Sequence, residues 1–122
     1  MKTSATSIRP FIGAKNFEES RSFYQALGFR ESVISSQMSY FQVNNSIGFY
    51  LQNAYVKDWV DNTMVFVEVT DVDTYYQELL SFNLTSRFSH SRLVPVRIES
   101  WGKECFLHDP SGVLWHFGQF NS

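Results

Sequence analysis

A chain of 122 residues, 43% hydrophobic and 17% aromatic with twelve phenylalanines, is long enough to bury a core without staples and reads as one domain over residues 1–122. Its net charge of −2 lacks the basic footprint of a nucleic-acid binder, and no apolar run approaches the ~20 residues of a membrane helix. Met1 to Phe11 carries no apolar leader core, so the expected location is the cytoplasm, with neither nucleic acid nor membrane as partner. Cys105 is alone, which excludes an intrachain disulfide, and its strand spacing marks it as a core residue.

In chain order, Ser7 to Ala14 reads as a strand, with Ile8, Pro10, Ile12 and Ala14 on one side and Arg9, Phe11 and Gly13 on the other. Pro10 cannot donate to a ladder and suggests an edge or a strand end. Asn16 and Glu19 have capping-box spacing, Phe17, Ser20, Tyr24 and Leu27 recur as a buried helical stripe, and Gly28 ends the helix. Strand patterns follow at Phe29–Ile34, Met38–Val43 and Ser46–Leu51, the last two joined by Asn44-Asn45 as a two-residue hairpin turn. Residues 52–62 read as a linker in which Trp59 and Val60 find packing partners.

Met64 to Thr70 is a strand, Asp71 a helix cap, and Val72, Tyr75, Tyr76 and Leu79 the stripe of a second helix. Asn16 and Asp71 stand 55 positions apart, and the same slide lays Ala14 on Val69 and Phe17 on Val72. The closing strands match at a slide of 67, which puts Phe49 on His116. The chain is thus two β-α-β-β-β modules, about 7–51 and 63–120, the second holding about a dozen extra residues between Asn83 and Trp101. That region carries Arg87, His90, Arg92 and Arg97 against Glu99; it reads either as a solvated loop with a short strand around Thr85–Phe88 or as a lid.

The stretch from Trp101 to Phe117 holds the closing hairpin: Lys103–His108 and Val113–Phe117 around Asp109-Pro110-Ser111-Gly112, where proline presets φ and glycine accepts φ > 0. Val113, Trp115 and Phe117 form a core face, so His116 points to the other side of the sheet. Strand parity places Phe11, Phe49, Phe66 and Trp101 on that same concave side, flanked by Met38, while Ile8, Ile12, Val65, Val67, Trp115 and Phe117 are left for the helices to cover.

Two such modules, the run Ala14 to Phe29 (AKNFEESRSFYQALGF), and Trp101-Gly102 followed by Asp109-Pro110-Ser111-Gly112 together resemble the vicinal oxygen chelate superfamily. Within it the likeness is closest to the bleomycin-binding resistance proteins, through Asp61-Asn62-Thr63 and the run Trp101 to Pro110 (WGKECFLHDP). The resemblance implies an α+β fold with a curved mixed sheet around a concave pocket, helices on its outer face, and a homodimer with pockets at or near the interface. It also implies a metal site in the metal-using members, at positions occupied here by Arg9, Phe49, Met64 and His116. Three of these four cannot ligate, and Arg9 repels an ion, so neither metal nor other cofactor is expected.

These readings converge on metal-free binding and sequestration of an antibiotic-like, flat aromatic or amphipathic small molecule rather than catalysis. The ligand-binding set is Arg9, Phe11, Met38, Phe49, Phe66, Glu68, Trp101 and His116. Arg9 and Glu68 either neutralise one another across the paired starting strands or leave Arg9 free for an anionic ligand group. His116 is either a hydrogen-bonded pocket histidine or a ligand donor. The alternatives are a glyoxalase-like lyase, isomerase or thiol transferase taking a divalent ion through His116 and Glu68, and a dimeric interaction module with no ligand.

Overall fold

Asn16 starts the first helix as its spacing demands: its side chain accepts the Glu19 amide at 3.1 Å, and the predicted stripe of Phe17, Ser20, Tyr24 and Leu27 is wholly buried. The computed structural model describes residues 3–122; Met1 and Lys2, part of the stretch read for a leader, lie outside the described residues. The elements are β1 (Phe11–Gly13), α1 (Phe17–Ala26), β2 (Arg30–Ser35), β3 (Met38–Gln42), β4 (Gly48–Gln52), α2 (Lys57–Val60), β5 (Met64–Glu68), α3 (Val72–Ser81), α4 (Leu84–Arg87), β6 (Arg92–Glu99), β7 (Gly102–His108) and β8 (Leu114–Phe120). The architecture is α+β, laid out as two four-stranded mixed sheets ordered β1-β4-β3-β2 and β5-β8-β7-β6. In each, the opening strand runs parallel to the closing one.

The two modules share one core. Phe41, Phe49 and Leu51 from the first sheet and Leu107, Trp115 and Phe117 from the second are each 2% exposed or less. Tyr24 of α1 lies between the sheets, its ring 5.6 Å from Phe41, 5.0 Å from Phe49 and 5.7 Å from Trp115. Its hydroxyl donates to Asp109 at 2.5 Å and accepts the Trp115 indole N–H at 3.0 Å. The other Asp109 oxygen accepts the amides of Ser111 and Val113 at 2.8 and 2.9 Å, so the turn that joins β7 to β8 also ties module two to α1. Burial pushes the Asp109 carboxyl up to about 6 and the Tyr24 phenol well above its ordinary range. Cys105 is fully buried, and burial raises its thiol to about 11, which suits a core residue and not a nucleophile.

Three expectations are corrected. β1 is three residues long; Ile8, read as a covered core residue, is 95% exposed, because Pro10 breaks the ladder before the strand begins. The stretch read as a loop or lid is mostly regular structure. Leu84 and Phe88 are buried around the single-turn α4, and Arg92–Glu99 is an eight-residue edge strand paired to β7, with its register shifting between Val94 and Arg97. Finally, Asn44-Asn45 is not a two-residue turn. Neither asparagine takes positive φ; the Asn44 side chain accepts the amides of Ser46 and Ile47, and Val43 N–H bonds the Ile47 carbonyl. The longer loop moves β4 by one position against β3, pairing Phe41 with Phe49 and Tyr40 with Tyr50.

Candidate functional site

That one-residue shift decides which side chains reach the concave face of the first sheet. Phe49, predicted there, is 2% exposed and packs on Phe41 and Trp115 in the core; its place on the concave face belongs to Tyr50. Phe11 pairs with Tyr50 in β1–β4 as Phe66 pairs with His116 in β5–β8, so Tyr50 is the module-one counterpart of His116.

Around Tyr50 the first sheet gathers rings and a cation. Phe11, 49% exposed, stacks on Tyr50 at 4.9 Å, and Tyr40 lies 5.2 Å from the same ring. Arg9 donates to the Tyr50 hydroxyl at 3.0 Å and holds its guanidinium 4.4 Å over the Tyr40 ring. Donating to the Tyr50 hydroxyl, with the nearby phenols, raises the Arg9 pKa further. Met38 sits half-buried two positions from Tyr40 on the same strand face. Among the described residues Arg9 makes no ion pair with Glu68, so the mutual neutralisation considered from sequence is not formed within the chain.

The second sheet presents a different set. His116 Nδ1 lies 3.0 Å from Glu104 Oε1, with the two side chains 22% and 12% exposed. Phe106 meets the imidazole edge-on at 5.0 Å, and Phe66 lies 6.3 Å from it. Phe66, Trp101 and Phe120 form a ring cluster with centroids 5.3–6.0 Å apart. Gly118 permits it: a Cβ there would strike the Phe66 ring and approach Trp101. Glu68 is exposed at the end of β5 and lines a groove of about 430 Å³ with Ile8, Pro10, Val65 and Phe66. Of the predicted set, the structure therefore unites Phe66, Trp101 and His116 on one face and Arg9, Phe11 and Met38 on the other.

Glu104 was missed, although its parity with Phe106 and the hairpin with β8 signal it: Phe106 pairs with His116, and Glu104 stands one place along the same face. Tyr50 was missed through the turn, whereas Tyr40 shares the strand face of Met38, an alternation that signals it. A wider polar recess of about 780 Å³ lies elsewhere, by the start of α1; Lys15, Glu19, Lys57 and Asp61 line it, and Lys57 and Asp61 pair at 3.0 Å across its wall. The alternating charge makes it a solvated cleft. At the concave positions where the resemblance implies a metal stand the Arg9 guanidinium, Tyr50, the exposed Met64 and His116. Arg9 lies on the first face and His116 on the second, and among the described residues neither face gathers the three N or O ligands that a divalent ion needs.

Comparison with solved structures follows this geometry. The bleomycin-binding protein of bleomycin-producing Streptomyces verticillus, solved with copper(II)-bleomycin, superposes with a TM-score of 0.81 over 98% of this chain and 100% of its own, at 22% identity. The chain has the fold of the bleomycin-binding proteins. An antibiotic-binding protein from a Streptomyces species matches over 98% of this chain and 100% of its own with a TM-score of 0.72 at 12% identity. A lactoylglutathione lyase from Agrobacterium tumefaciens matches over 96% of each chain with a TM-score of 0.71, also at 12% identity. One fold thus carries binding proteins and an enzyme, and at these identities the likeness shows the fold alone. No family model and no curated protein matches the sequence. No helix among the described residues is long and apolar enough to cross a membrane.

Proposed function

We propose that the protein binds and sequesters a flat aromatic or amphipathic small molecule, in the manner of antibiotic-binding resistance proteins, without a metal and without transforming it. The observation that carries this reading is the ring cluster of Phe66, Trp101 and Phe120: two of its members, Phe66 and Phe120, are 45% and 51% exposed. Such rings, already held by their neighbours, offer stacking surface at little ordering cost.

The protein acts in the cytoplasm as a homodimer with its pocket at or near the interface. Supporting this, the two concave faces each leave large apolar side chains in solvent, Phe11 on one and Met64, Phe66 and Phe120 on the other. A second copy supplies cover for both and combines Arg9, Phe11 and Met38 of one protomer with Phe66, Glu68, Trp101 and His116 of its partner.

Equilibrium dialysis of the full chain with metal-free bleomycin and with 2-methoxynaphthalene, a flat donor-free probe, tests the reading. Saturable binding of at least one is expected, weakened roughly tenfold by Trp101→Ala. Absence of both, or binding indifferent to Trp101→Ala, overturns it.

A further inference from the structure

The Glu104–His116 pair lies on the ring-lined face but is not explained by stacking. A carboxylate only accepts, so at 3.0 Å the imidazole hydrogen stands on Nδ1 and points at Glu104 Oε1. In the neutral ring this leaves the Nε2 lone pair free. Among the described residues no side-chain nitrogen or oxygen is both buried and unpartnered, and Nε2 has no protein partner; it therefore reaches solvent. Phe106, edge-on at 5.0 Å, and Phe66 at 6.3 Å wall the imidazole. The fold thus holds a directed hydrogen-bond acceptor between aromatic surfaces, its tautomer set by a carboxylate.

Resting on the binding reading above, we propose that this pair selects a planar aromatic ligand bearing a hydroxyl: a phenol whose ring stacks on Phe66 and whose O–H donates to His116 Nε2. A phenol matches the wall better than an ammonium donor does. A phenol brings one O–H to the one free imidazole nitrogen and a ring to Phe66, whereas an ammonium brings three N–H donors and no ring. No bond is made or broken; Glu104 positions the imidazole and His116 receives the hydrogen bond.

The probes are 2-naphthol and 2-methoxynaphthalene, which share a ring system and differ in the donor. The wild-type chain is expected to bind the naphthol about fivefold more tightly than the ether, as one net hydrogen bond allows. His116→Phe keeps an aromatic wall and removes the acceptor; whatever its effect on ether affinity, it should bring the naphthol-to-ether ratio to about one. Glu104→Gln, which releases the tautomer, should lower the ratio while leaving ether affinity in place, a pattern that simple loss of packing does not give. Long-range ¹H–¹⁵N spectra of the free protein should show the His116 hydrogen on Nδ1. Equal binding of the two probes by the wild type, an Nε2–H tautomer, or binding of bleomycin but of neither probe overturns the selection while the pocket stands; failure of bleomycin and both probes removes the pocket and the selection with it.

Discussion

Tyr50 and His116 occupy the same place in the two modules, each opposite a phenylalanine of the opening strand and each beside an aromatic of the third, Tyr40 in one and Phe106 in the other. Around Tyr50 the neighbours are Arg9 and Phe11; around His116 they are Glu104 and Phe66. The first face therefore presents a cation spread over phenol rings, and the second an acceptor backed by a carboxylate. The repeat conserves the backbone register and the helix-side core, and the concave side chains, which the core does not constrain, are where the halves part. Fold and chemistry are thus separable here: residues that pack Tyr24 and Trp115 serve both faces, and residues at the concave surface serve one.

The largest break in that comparison removes what the faces share. Trp115→Ala deletes a side chain 1% exposed that touches Tyr24, Phe29, Phe49 and Phe117, and should cost about 3–5 kcal/mol by denaturant unfolding. A cost under about 1 kcal/mol would mean the two modules do not share a core. Next comes the seam. Asp109 is raised from its ordinary 3.8 to about 6, so between these values the folded chain binds a proton that the unfolded chain does not. Its contribution to stability accordingly rises as pH falls through 6 and is complete near 4, by up to roughly 3 kcal/mol. Glu31, held low by Arg21, and Asp71, held low by the Thr74 amide, act in the opposite sense only below their ordinary values of 4.5 and 3.8. Unfolding midpoints of wild type and Asp109→Asn from pH 6.5 to 4.5 should diverge on this account; parallel curves would contradict it.

Smaller effects sharpen the contrast between the faces. Gly118→Ala pushes the Phe66 ring out of its seat beside Trp101, for about 1 kcal/mol of stability, and should weaken 2-methoxynaphthalene binding while leaving module one intact. Arg9→Ala should leave the unfolding midpoint where it is, since Arg9 is exposed, and alter the near-ultraviolet circular dichroism of the tyrosines it covers.

The helices were legible because their signals are local: Asn16 and Asp71 cap α1 and α3 through the amides three residues on, and the apolar stripes face the core. β6 was not, because an edge strand bonded on one side tolerates Pro95 and three charged side chains, a composition shared with loops. The concave face was half legible. Phe66 and His116 follow from strand parity, while Trp101 reaches their face from the turn before β7, off that strand's alternation; Phe49 failed because turn length sets parity and the asparagine turn is longer than two residues. The link from Tyr24 to Asp109 spans 85 positions, and no local pattern announces it.

Sequestration is tested most directly by titrating isotope-labelled full-length protein with 2-naphthol, mapping the perturbed resonances, and recovering the naphthol afterwards for mass analysis. The account predicts saturable shifts centred on Phe66, Trp101 and His116, with the naphthol returned unchanged. Shifts centred on the polar recess at Lys15 and Lys57, no saturable shift, or a chemically altered product would contradict it.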